Sequence, residues 1–189
     1  MLKPSNISLG AVMAVCAVIP AWADDLALCL DKQVEACTRL IDSGKFDQTN
    51  LANLFTARGI AHKAGGEFEH AFADYSEAIR LDPRNAIAFV DRGAAHEAKG
   101  ELELALADDS EAIRLDPRNA IAFYNRGVTY EKKRELDLAI ADFSEATRIN
   151  PTFALAFNSR GAAHQAKGEG VVQKWPVLGN TDNKDPSAW

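Results

Sequence analysis

Three sets of residues in this chain have the types and spacing that could support chemistry. His62, His96 and His164 stand at one fixed interval and its double, and imidazoles are the usual acid–base and metal-binding groups near neutral pH. Arg58, Arg92 and Arg126 precede Asp74, Asp108 and Asp142 by one constant offset. Such pairs can lock bidentately, whereas a row of free arginines would grip an acidic ligand. Cys29 and Cys37 lie close together in the chain and could form a disulfide or remain two thiols. No Gly-x-Ser-x-Gly, His-Glu-x-x-His, Gly-x-Gly-x-x-Gly or phosphate-cradling loop is present. No nucleophile, base and metal-ligand set converges, so the expectation is a protein without catalytic residues, metal or cofactor.

What must position these groups is a repeat. Arg-Gly recurs at Arg58-Gly59, Arg92-Gly93, Arg126-Gly127 and Arg160-Gly161, always at the same spacing. Pro83, Pro117 and Pro151 follow the first three glycines at an equally constant distance. Ala71, Ala105 and Ala139 share one phase; Ala78, Ala112 and Ala146 share another. The segment Ser76–Phe89 reappears letter for letter at Ser110–Phe123, a sign of duplication. Within one period, Phe89, Gly93 and His96 fall on one face of a first helix over Ala86–Ala98. Lys99-Gly100 breaks it, a second helix runs from Glu101 to Leu115, and Pro117 prevents continuation. A helical hairpin this small cannot bury its apolar face alone, so the units must stack. Histidines in successive units would then lie about 10 Å apart, too far to share one ion. They are expected to pack as aromatic-like side chains, and the Arg–Asp series to form a ladder.

This pattern resembles the tetratricopeptide repeat (TPR), a unit of about 34 residues. The family's small, alanine, aromatic, alanine and proline positions are met by Gly59, Ala71, Tyr75, Ala78 and Pro83, and again by Gly127, Ala139, Phe143, Ala146 and Pro151. The resemblance implies an all-α, right-handed α-solenoid of stacked antiparallel helix pairs, with repeats at 52–85, 86–119 and 120–153 and a partial fourth at 154–169. The chain departs from the family where leucine is usual, at Arg58, Arg92, Arg126 and Arg160, and at Asp109, which stands in the aromatic slot. A carboxylate buried there without a partner would weaken the second repeat.

The resemblance also implies a concave groove lined by the first helices, holding a peptide or partner segment. By phase it would present Asn53, Thr56, Ile60 and Lys63, then Ile87, Val90, Ala94 and Glu97, then Ile121, Tyr124, Val128 and Glu131, and finally Leu155, Asn158 and Gln165. The family's carboxylate clamp needs Lys and Asn where Thr56 and Ile60 stand, so an acidic C-terminus is not the expected ligand. An apolar or mildly basic segment suits the groove better. The alternative is an assembly subunit that self-associates through its repeat ends.

The flanks differ in kind. Lys3, the apolar stretch Ile7–Ile19, Pro20 and Ala21-Trp22-Ala23 have the layout of a signal peptide, with cleavage expected after Ala23 and a periplasmic or secreted product. An uncleaved anchor, or lipidation at Cys16, is the alternative. Cleavage removes Lys3 and Cys16, leaving 20 cationic against 27 acidic side chains and two cysteines. Residues 24–51 read as a capping half-repeat: a short helix, a turn near Asp31-Lys32 and a longer helix, joined by a Cys29–Cys37 disulfide. Residues 170–189 carry Trp175-Pro176, Gly179-Asn180 and Asp185-Pro186 without either alanine phase, and are expected to be a disordered tail. The excess of Asp and Glu over Lys and Arg excludes a phosphate-binding stripe, and with it nucleic acid.

Overall fold

A computed structural model describes residues 21–30 and 33–168; the region 1–20 of the expected leader, the turn at Asp31-Lys32 and the expected tail 170–189 lie outside them. The described residues form α1 (Ala21–Leu30), α2 (Val34–Asp42), α3 (Gln48–Ala64), α4 (Phe68–Leu81), α5 (Ala86–Lys99), α6 (Leu102–Leu115), α7 (Ala120–Lys132), α8 (Leu136–Ile149) and α9 (Ala154–Ala166). The pairs α3/α4, α5/α6 and α7/α8 are the three full repeats, and each second helix packs on the first helix of the next. The result is an all-α solenoid. None of the described helices is long and apolar enough to cross a membrane.

Alanine sets the spacing. Ala71, Ala105 and Ala139 on the second helices, and Ala78, Ala112 and Ala146 two turns further along the same face, are fully buried. Ala52, Ala88, Ala122 and Ala156 on the first helices are too. Opposite them, Gly59 and Gly127 leave room for rings: a Cβ at Gly59 would stand 2.6 Å from Tyr75, and one at Gly127 2.7 Å from Phe143. Small side chains here let the hairpin helices approach so that one large ring fills the space between them.

The Asp-Pro-Arg-Asn linker is a two-part device. Asp82 Oδ1 accepts from Arg84 N–H at 3.0 Å and Asp116 Oδ1 from Arg118 N–H at 3.0 Å, closing the turn around the proline. Asn85 and Asn119 then cap the following helices, accepting from Ala88 N–H at 3.1 Å and from Ile121 and Ala122 N–H at 3.1 Å. The hairpin turns use a left-handed residue at Gly66, Gly100 and Gly168, but at Arg134 (φ 63°) in the third repeat. An L side chain in that conformation costs about 1 kcal/mol or more. Arg134→Gly is therefore expected to stabilise the fold by about 1 kcal/mol in chemical denaturation, with no change in secondary structure.

At the N-terminal end α1 and α2 cover α3. The Cys29 and Cys37 sulfurs stand at bonding distance, with Cα atoms 4.7 Å apart, inside a cluster with Ala36, Leu40 and Leu54. Arg39 Nε donates to Asp25 Oδ1 at 3.0 Å and ties the two helices on the outside. The helix α1 begins at Ala21, so cleavage after Ala23 would remove only its first three residues.

Candidate functional site

The Arg–Asp ladder is the most regular electrostatic feature. Arg58 donates through Nε and Nη2 to the two carboxylate oxygens of Asp74 at 2.9 and 2.7 Å. Arg92 does the same to Asp108 at 2.8 and 2.7 Å, and Arg126 to Asp142 at 2.8 and 2.8 Å. The third guanidinium nitrogen reaches backward to a hydroxyl of the preceding second helix: Thr38 at 3.0 Å, Ser76 at 3.3 Å and Ser110 at 3.2 Å. Each arginine thus joins the second helices of two consecutive units. Each also lies over a phenylalanine one turn earlier, Phe55, Phe89 or Phe123, at 5.3–5.6 Å from the ring centre. The Asp74 and Asp142 carboxylates hold Arg58 and Arg126 more firmly protonated than usual. These arginines are spent on structure and are not offered to a ligand.

The last member of the series stands apart. Arg160 reaches Thr147 Oγ1 at 3.1 Å and lies over Phe157, but its Nε is buried without a partner among the described residues. At Gly161, unlike Gly59, Gly93 and Gly127, an added Cβ would meet no described residue within 4 Å. In the first three repeats the equivalent side of the first helix meets the aspartate of the second helix, and in the first and third a ring as well.

Asp109 occupies the aromatic slot of the second repeat and is 1% exposed. Neither carboxylate oxygen has a hydrogen-bond partner among the described residues. Burial, and then the adjacent Asp108 carboxylate, push its pKa up to about 8, with Arg126 pulling the other way. Arg92 and Arg126, which could have neutralised it, are already bonded to Asp108 and Asp142.

His62 and His96 sit in equivalent places and bond through Nδ1 to the glutamate that opens the next helix, Glu67 at 2.6 Å and Glu101 at 2.5 Å. His96 also stacks on Phe72, ring centres 4.4 Å apart. A second set of bridges links consecutive units from outside: Lys99 to Glu69 at 2.7 Å, Lys133 to Glu103 at 2.8 Å and Lys167 to Asp137 at 2.6 Å. Being exposed, they contribute little to stability.

The expected groove residues divide into three groups. Ile87, Ile121 and Leu155 occupy the same position in successive first helices and are 59, 55 and 59% exposed. Asn53 and Asn158 are exposed too. Half-buried residues come next: Lys63 is bonded to Asp91 at 3.0 Å, Glu97 is paired with Lys132, and Tyr124 packs against Phe143 and Phe153. Glu131 is also half-buried. Thr56 and Val90 depart from expectation, because both are buried. Thr56 Oγ1 donates to Ala52 O at 2.9 Å and accepts from Asn85 Nδ2 at 3.3 Å, so it braces the linker. Val90 is too short to reach solvent and packs with Ala112 and Ala122.

Comparison with known proteins agrees with this architecture. A family model described as "Tetratricopeptide repeat" matches residues 120–153, and one described as "TPR repeat" matches 59–100 and 96–133, together half of the 189 residues. Among solved structures, MamA is 23% identical, with 81% of this chain and 88% of that one covered at a TM-score of 0.67. The OM64 TPR domain of Arabidopsis is 25% identical, covering 63% and 98% at 0.61. The first TPR domain of Spaghetti (RPAP3), bound to an HSP90 peptide SRMEEVD, is 21% identical, covering 64% and 95% at 0.62. No curated protein sequence matches significantly.

Proposed function

Because the chain belongs to the tetratricopeptide-repeat family of protein-interaction scaffolds, we propose that it is an exported scaffold whose first helices hold an apolar or mildly basic peptide segment. The observation that carries this reading is the row Ile87, Ile121 and Leu155. Three branched apolar side chains, more than half exposed and repeated at one position, are a costly arrangement for a surface with no partner. Asn53 holds the same position one repeat before Ile87 and gives the row a polar end, Asn158 follows Leu155 by one turn, and Glu131 gives an acidic margin, whereas Glu97 is neutralised by Lys132. The acidic peptide of the RPAP3 complex is a poor guide to this ligand. Thr56 and Ile60 stand where the family's clamp requires Lys and Asn, and Thr56 is buried. Recognition is non-covalent: a preformed surface binds, and no bond is made or broken.

The expected leader places the mature chain in an oxidising compartment, where Cys29 and Cys37 would be joined. The bond closes a small loop and contributes about 2–3 kcal/mol. A reductant is expected to lower the melting temperature of the wild type and to leave Cys29→Ser/Cys37→Ser unaffected.

The test is affinity capture from an envelope extract followed by mass spectrometry, with Ile87→Asp/Ile121→Asp in parallel. A partner recovered by the wild type and lost with the double variant supports the groove. The same set recovered by both rejects it. A second reading, self-association through the repeat ends, is supported by the Arg160 Nε and the space beside Gly161, which no described residue fills. Light scattering separates the two: a receptor stays monomeric on concentration, while an open stack grows.

A further inference from the structure

The turn of the first repeat carries a group that the other repeats lack. In the second repeat His96 bonds to Glu101 and the residue three positions on is Leu104; in the third the same places hold Tyr130, Glu135 and Leu138. The His–Glu contact is therefore part of the ordinary turn. In the first repeat the leucine is replaced by His70, and His62, Glu67 and His70 offer donor atoms that all lie within 4.8 Å of one another.

We propose that His62, Glu67 and His70 form a binding site for a divalent transition-metal ion such as Zn²⁺. His62 Nδ1 is 2.6 Å and His70 Nδ1 3.8 Å from Glu67 Oε2, and the two imidazole rings stack with centres 5.1 Å apart. Two imidazoles and a carboxylate are the ligand set that zinc and its neighbours prefer, and three protein ligands leave a position open for water or a partner's side chain. The ligands come from different elements: His62 from the last turn of α3, Glu67 from the α4 cap and His70 from the first turn of α4. His62 is the anchored one, 13% exposed in its side chain, with Nε2 facing Asp74 Oδ2 at 3.8 Å. The 2.6 Å contact between His62 Nδ1 and Glu67 Oε2 holds a proton that an incoming ion would displace, freeing both atoms as ligands. Glu67 and His70 are more exposed, 55 and 73%, and are free to close the short remaining distance.

Isothermal titration of the untagged mature protein with Zn²⁺ tests this. The expected result is one saturable site, weakened more than about tenfold by His70→Leu, the residue the other repeats use, and by Glu67→Gln. His96→Tyr, which copies the third repeat, should leave the affinity unchanged. Circular dichroism establishes that each variant is folded. Absence of saturable binding, or binding that His70→Leu leaves intact, overturns the proposal.

Discussion

Replacing Asp109 with phenylalanine is expected to raise the stability of the fold by roughly 2 kcal/mol, a gain that shifts the midpoint of thermal unfolding upward by several degrees. The change removes a buried carboxyl group whose two oxygens find no partner among the described residues. It also restores the ring that Tyr75 and Phe143 place in the same slot, against a glycine that already leaves the space. The pH dependence follows with a definite sign. In the fold the Asp109 pKa is pushed up to about 8; in the unfolded chain it returns to the ordinary carboxylate value. Between those values the folded protein holds a proton that the unfolded chain has released, so stability falls as pH rises from about 4 to about 8 and then levels. The slope approaches about 1.4 kcal/mol per pH unit at most, a tenfold change in the folding constant. The charged groups acting on Asp109 are Asp108, Asp142 and Glu97, which oppose its ionisation, and Arg126, which favours it. Asp109→Asn should flatten the profile without filling the slot. An unchanged or lower midpoint for Asp109→Phe would mean that the carboxyl is already well paired.

The second large effect concerns the ladder. Asp108→Ala leaves the half-buried Arg92 guanidinium without its bidentate acceptor and is expected to cost about 3 kcal/mol or more. Arg92→Ala strands the buried Asp108 carboxylate and should cost a similar amount, also cutting the link to Ser76. The double variant should be less damaged than the sum of the two, with a coupling of about 1.5–3 kcal/mol. Denaturant unfolding of the four proteins in the cycle measures it. A coupling of zero would remove the ladder as a source of stability.

The architecture was legible because one interval organises it. Arg-Gly, the alanine phases and the Asp-Pro turns recur in register, and the structure places them as the period requires. The constant Arg–Asp offset was enough to anticipate the ladder. Its backward hydroxyl contacts were not anticipated, because they involve residues of an adjacent unit with no chemical signature of their own. The Lys–acid bridges were missed for a related reason: Lys99, Lys133 and Lys167 reach back by an offset that falls short of the repeat length. Groove assignments by phase failed at Thr56 and Val90, since phase sets a direction but not the reach of the side chain. Both are short, and the neighbouring linker and alanines cover them. His70 escaped notice because the next repeats have no histidine at its position. A histidine replacing Leu104 and Leu138 is visible only as a departure from the repeat.

Peptide binding by the first helices, as proposed, rests on the apolar row Ile87, Ile121 and Leu155. Selection of a displayed random-peptide library on the immobilised protein, with Ile121→Asp as the counter-target, is the test. Apolar, acid-poor sequences are expected to be enriched and to bind the wild type at least about tenfold more tightly than the variant, since a carboxylate in the row must be desolvated for binding. Failure to enrich any sequence, or enriched peptides that bind both proteins equally, would contradict it.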